Sequence, residues 1–253
     1  MTTLPIQCRL GGVVSLVILI GLGGCAGGAS PSDATGTSAE QPELTASAEP
    51  SASVASGFEC PPHGGQCLGP IVAGTYSTVT FEPPITYTVP DGWTNGEDLP
   101  GNFLLQLVDD PRYLGIYRDV AAPLECEEAP DTSAEPTVEG LTSWLTEHPG
   151  LVTTEPEAVT VGGLDGVFID ISLDLAWSMT CPFSDDPVVP FIIGGGLSSL
   201  HHVILPGFEE RLYLLDFEGG NIAIEVGPEG DSLEEYLAEV MPIIDSLRFA
   251  ANS

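Results

Sequence analysis

The chain has 253 residues, with 37 Asp and Glu against 5 basic residues, giving a formal net charge of −32. So negative a molecule has no cationic face for a phosphate backbone, which excludes a nucleic-acid partner. Every basic residue is an arginine (Arg9, Arg112, Arg118, Arg211 and Arg248), so a Walker A loop, a lysine Schiff base and a Ser-x-x-Lys nucleophile are also excluded.

In chain order, Leu10–Gly24 is an uncharged apolar run preceded by Arg9. It is too short for a comfortable membrane span, which takes about 20 apolar residues, and has the form of an export signal. Leu22-Gly23-Gly24-Cys25 at its end resembles the bacterial lipobox. The resemblance implies a signal peptide over residues 1–24 and a diacylglyceryl group on Cys25, which becomes the first residue after cleavage. Two or more acyl chains hold a protein durably on a bilayer, so such a product needs no transmembrane helix. A plain secretory signal cut near Ala26 and an uncleaved anchor are the alternatives.

Residues 25–57 are rich in Ser, Ala, Gly and Pro, with Leu44 and Val54 as the only large aliphatics and no aromatic residue. Such a stretch cannot bury enough apolar surface to offset its backbone entropy. It reads as a disordered tether with a root-mean-square reach of roughly 30 Å. Residues 58–253 carry every Trp, Tyr and Phe and are expected to form a single extracytoplasmic domain.

Within that domain, alternation of period two dominates. It predicts strands over Tyr76–Phe81, Ile85–Val89, Phe103–Val108, Tyr113–Asp119, Ala158–Val161, Val167–Leu175 and His201–Leu205. The Val167–Leu175 pattern puts Val167, Ile169, Ile171, Leu173 and Leu175 on one face. Arg211–Phe217 and Asn221–Val226, joined by Glu218-Gly219-Gly220, form a hairpin pattern. Thr137 can cap a helix carrying Val138, Leu141, Trp144 and Leu145, stopped by His148-Pro149-Gly150. A second helix starts at Asp231, with Glu234 as its capping-box partner, and Pro242 is expected to break or kink it before a last turn or strand over Ile243–Phe249. The fold class is α+β, a mainly antiparallel sheet with helices packed on it.

Pro84–Trp93, an alternating strand ending in Pro-Asp-Gly-Trp, and Ile243–Phe249 behind an amphipathic helix resemble exported bacterial lipoproteins with a PsbP/Mog1-like α/β/α sandwich. The Val161–Gly166 turn is similar to theirs as well. The resemblance implies binding and assembly roles more often than catalysis, and it transfers no functional residue.

Besides Cys25, four cysteines remain after processing. Cys60 with Cys67 and Cys126 with Cys181 are the first-choice disulfides, and the two crossed pairings stay open. Cys60, His63 and Cys67 as metal ligands are the alternative, and it lacks a fourth ligand. No cofactor and no metal are expected. The acidic clusters (Asp109-Asp110, Glu125 with Glu127-Glu128, Asp185-Asp186, and Asp165, Asp170 and Asp174) lack the EF-hand order and read as a solvated surface. Ser198, Ser199, His201 and His202 lie close in sequence without forming a known nucleophile motif. The arginines of the mature chain are expected to find carboxylate partners, and Trp93, Trp144 and Trp177 to pack in the core or at its rim.

The expected function is that of a lipid-anchored extracytoplasmic binding or accessory protein of the bacterial cell envelope, without catalysis. Its partners are the membrane, through the N-terminal lipid, and a small apolar ligand or an envelope protein. A secreted envelope hydrolase working through carboxylates or His201/His202 is one alternative, and a calcium-stabilised structural or adhesion domain is another.

Overall fold

The computed structural model describes residues 71–127, 129–194 and 201–250. The first five strands are β1 (Gly74–Ser77), β2 (Ile85–Val89), β3 (Trp93–Leu99), β4 (Asn102–Leu107) and β5 (Tyr113–Arg118). Helix α1 (Val138–Glu147) follows, then β6 (Leu151–Thr153), β7 (Glu157–Val161), β8 (Leu164–Leu173), β9 (Val189–Ile193) and β10 (His201–Ile204). The chain closes with β11 (Glu209–Phe217), β12 (Gly220–Gly227), α2 (Leu233–Ser246) and β13 (Arg248–Phe249). The result is α+β with antiparallel pairing throughout the described strands.

The main sheet runs β3-β4-β5-β12-β11-β8-β6, with β7 also paired to β8. Its centre, β12 and β11, is largely buried, as strands covered on both faces must be. One face meets α2 and the small sheet β1-β2-β13 through Ile85, Trp93, Phe103, Ile224, Tyr236 and Ile243. The other meets α1 and the β9–β10 ribbon through Leu141, Leu145, Ile169, Phe191, Leu212 and Leu214. Asn221 ties the second layer together: its amide donates to the carbonyls of Val120 and Pro136, both at 2.9 Å, and accepts from the Val120 N–H at 3.0 Å.

Local chemistry explains the element ends. The Thr137 hydroxyl accepts the Gly140 N–H at 3.1 Å, and α1 stops at His148 before Pro149, as the sequence predicts. Glu218 and Gly219 close the β11–β12 hairpin with φ of 49° and 83°, the left-handed pair that a two-residue turn matched to strand twist demands.

Several expectations are corrected. The first strand stops at Ser77, not Phe81, because the buried Asp98 carboxylate accepts the N–H groups of Val79, Thr80 and Phe81 at 2.6, 3.1 and 2.9 Å and folds them into a turn. β3, β6 and β9 have no counterpart among the predicted strands. β8 ends at Leu173, so Leu175, assigned to its apolar face, stands 99% exposed on the following turn. Ser232, not Asp231, caps α2, and Glu235 rather than Glu234 occupies the third helical position. Pro242 does not break α2. Pro242 and Ala238, whose carbonyl loses its helical donor, both lie on the exposed side, where the carbonyl is open to solvent.

Candidate functional site

Two groups of functional side chains lie on the sheet face covered by α1 and the β9–β10 ribbon. The first is a cavity of about 390 Å³ beyond the C-terminal end of α1. Helical spacing of four puts Trp144 and His148 side by side, ring centroids 4.9 Å apart. The turn after β8 supplies the third ring. Asp174 accepts the Ala176 N–H at 2.7 Å on its side chain and the Trp177 N–H at 2.9 Å on its carbonyl. That turn carries Trp177 back until its ring centroid lies 5.5 Å from His148, and its indole N–H donates to the Val188 carbonyl at 3.0 Å. Gly150 makes this approach feasible, because a Cβ there would come within 2.6 Å of Val189 and 2.7 Å of the Trp177 ring.

Apolar side chains complete the lining: Leu124, Met179, Val188 and Val189, with several prolines. The wall has one strip from Pro123 to Cys126 with Asp131 and another with Trp177, Met179 and Val188 to Pro190, and the Cys126–Cys181 disulfide, with Cα atoms 5.4 Å apart, fastens the two segments together. This is the first-choice pairing for these two cysteines. Two carboxylates, Glu125 and Asp131, also face the cavity. The Ser133 hydroxyl and N–H, together with the Trp144 indole, hold Asp131 below the usual carboxylate range. Burial pushes the His148 pKa down, and its Nδ1 accepts the Gly150 N–H at 3.1 Å, so the ring is neutral at pH 7 with its proton on Nε2.

The second group is a buried charge cluster. Glu225, in the middle of β12 and 1% exposed, holds His202 Nδ1 of β10 at 2.6 Å and accepts the Tyr113 hydroxyl at 2.7 Å. Glu210 of β11 joins it from the same face, 4% exposed. Burial would raise the Glu225 pKa, but the charge and hydrogen bond of His202, with hydrogen bonds from Glu210 and Tyr113, outweigh burial and lower it. For Glu210, burial and the Glu225 charge act together and raise the pKa far above normal, so it is a neutral acid bonded to the Glu225 carboxylate. Burial opposes a charge on His202, but Glu225, with Glu97 behind it, wins and raises its pKa. One proton-rich carboxyl, one carboxylate and one imidazolium thus neutralise each other inside the sheet layer.

The remaining expected site residues are dispersed. Cys25, Cys60 and Cys67 lie outside the described residues, as do His63, Ser198, Ser199 and Glu128. Asp110 clasps Arg112 at 2.8 Å, Asp170 clasps Arg211 at 2.6 Å, and Arg118 reaches Asp119 at 3.2 Å. Arg248 bonds the carbonyls of Asp245 and Leu247. Asp165 binds the Thr160 hydroxyl at 2.6 Å, and Asp174, past the end of β8, does not share a strand face with Asp170. Among the described residues, no group of three or more His, Cys, Asp or Glu is arranged to hold a metal. Trp93 is core, whereas Trp144 and Trp177 line the cavity.

Sequence reasoning missed the cluster and the meeting of the two tryptophans with His148. A signal for the cluster exists: Glu225 stands alone in Ile222-Ala-Ile-Glu-Val226, a run otherwise apolar on both strand faces. An acid there must be paired or neutralised. No family model, curated protein or solved structure matches the chain.

Proposed function

We propose that the protein is a lipid-anchored extracytoplasmic binding module of the bacterial envelope, which takes up a small ligand in the Trp144–His148–Trp177 cavity. The observation that carries this reading is the cavity itself. It has a volume in the range of small-molecule sites, three rings, apolar walls and few polar groups. Leu124 and Met179, both part of the lining, stand about half-exposed and give the recess an apolar margin. Cys25 is the proposed lipid attachment point and residues 26–57 the proposed tether. Helices on both faces of the main sheet agree with a PsbP/Mog1-like α/β/α sandwich, and that finer assignment is part of the proposal.

Native mass spectrometry of protein taken from its own host membranes tests the reading. A co-purifying small molecule is expected on the wild type and lost from Trp144→Ala and Trp177→Ala. The same empty mass for all three would remove the binding role. Cys25→Ser is expected to move the protein from the membrane fraction to the soluble one.

A hydrolase remains the second reading, because His202 and Glu225 put a carboxylate within hydrogen-bond reach of an imidazole. The raised His202 pKa favours its protonated form over the free base that a nucleophile would need, and among the described residues no serine, threonine or cysteine is bonded to it. Ester or glycoside turnover that disappears in Glu225→Gln would favour this second reading.

A further inference from the structure

We propose that the ligand of the Trp144–His148–Trp177 cavity is an organic cation, a quaternary or alkylated ammonium group, rather than an anion, a sugar or a neutral hydrocarbon. The inference rests on the binding role proposed above for this cavity. It follows from what the walls offer once their internal bonds are counted.

The Trp177 indole N–H is committed to the Val188 carbonyl at 3.0 Å, and the Trp144 indole interacts with the Asp131 carboxylate and helps to lower its pKa. The two largest side chains therefore offer mainly ring carbon and π electrons. His148, the ring between them, is neutral and has its Nδ1 occupied by the Gly150 N–H, so it neither repels a cation nor supplies a positive charge for an anion. Aromatic rings grouped around one space attract a cation through their quadrupoles, most strongly when water is excluded.

Charge decides between cation and neutral guest. Glu125 and Asp131 both line the cavity, and no arginine does. The four arginines of the domain are engaged elsewhere: Arg112 with Asp110 and Glu239, Arg118 with Asp119, Arg211 with Asp170, and Arg248 with backbone carbonyls. A net-negative recess favours a positive guest and opposes a carboxylate or phosphate. Leu124, Met179 and Val188 suit methyl groups and leave a sugar's hydroxyls largely unpaired. A charged centre clothed in methyls satisfies rings, carboxylates and aliphatic walls together.

The test titrates the full chain with choline, its neutral carbon isostere 3,3-dimethylbutan-1-ol, and the anion pivalate. Binding is followed by tryptophan fluorescence and by calorimetry. Trp93 is fully buried in the opposite layer and gives a constant background. Choline is expected to bind about tenfold or more tighter than the isostere, with pivalate silent. Its affinity should weaken with added NaCl, while that of the isostere should not. Glu125→Gln/Asp131→Asn, checked for native circular dichroism, is expected to erase most of choline's advantage and leave the isostere unchanged. Equal affinity for choline and isostere, or tighter binding of pivalate, overturns the cation assignment and leaves the cavity as a binding site. No response to any of the three, at concentrations up to their solubility limits, overturns the cavity's binding role as well.

Discussion

The cavity and the Glu225 cluster sit on one face of one sheet, yet they handle polarity in opposite ways. At Glu225 a carboxylate, an imidazolium, a neutral acid and a tyrosine hydroxyl use each other up within a packed layer. At the cavity the Trp177 indole N–H is spent on the protein's own backbone and the Trp144 indole leans on the Asp131 carboxylate, while both rings line open space. A site is therefore marked less by concentrated charge than by groups whose internal bonding leaves one surface unspent. By that measure the more conspicuous cluster is a device for building the layer, and the quieter recess is the proposed place for a guest.

The strongest test of this contrast is Glu225→Ala. It leaves His202 and Tyr113 facing a buried void and should cost about 3–5 kcal/mol of unfolding free energy by urea titration, without changing affinity at the cavity. A large loss of cavity affinity in a still-folded variant would break the comparison. Cys126→Ser/Cys181→Ser comes next. The bridge spans 55 residues, and its removal should cost about 2–4 kcal/mol while also loosening the binding wall, so here stability and affinity fall together. Gly150→Ala is smaller, about 1–3 kcal/mol, because the new methyl must displace Val189 or the Trp177 ring. It is expected to lower cavity affinity and leave the cluster's titration unaltered.

The least effect, and the most diagnostic of the cluster, is on pH dependence. Glu225, with its pKa lowered, contributes stability above the ordinary carboxylate range that is lost as pH falls through its native value. His202 and Glu210, both raised, contribute stability at low pH that is lost as pH rises from their unfolded values of 6.5 and 4.5 through their native ones. Tyr113, Tyr117, Glu97 and Glu229 are the other titratable groups facing the cluster, and burial keeps both phenols neutral. Stability should peak on the acid side of neutrality and be higher at pH 5.5 than at pH 8. Glu210→Gln, which cannot ionise, should flatten the alkaline side. A urea midpoint that rises from pH 5.5 to 8 in the wild type would contradict this assignment of protons.

Much of the scaffold was legible because single residues dictate it. Thr137 and Pro149 bound α1, Glu218-Gly219 forces the β11–β12 turn, and Ile85–Val89 alternates as a half-buried strand should. β3 was illegible because Trp-Thr-Asn-Gly-Glu-Asp-Leu has turn composition. It is a strand because a bulge between Asn95 and Glu97 sends Asp98 inward to cap a distant turn. β9 was missed because all five of its residues are buried and it shows no alternation. The cavity was half legible: Trp144 and His148 share a helix face by spacing, but Trp177 joins them only through the turn at Asp174, and sequence distance hides that contact.

On the binding role proposed above, the Cys126–Cys181 bridge also bears on when the recess is complete. Until Cys181 has been synthesised and oxidised against Cys126, the two strips of the recess are held together only by the fold around them. In a thiol-rich compartment nothing covalent joins the two strips, and in an oxidising one the bridge does. The wall of the proposed site is thereby tied to the place where the molecule finishes maturing.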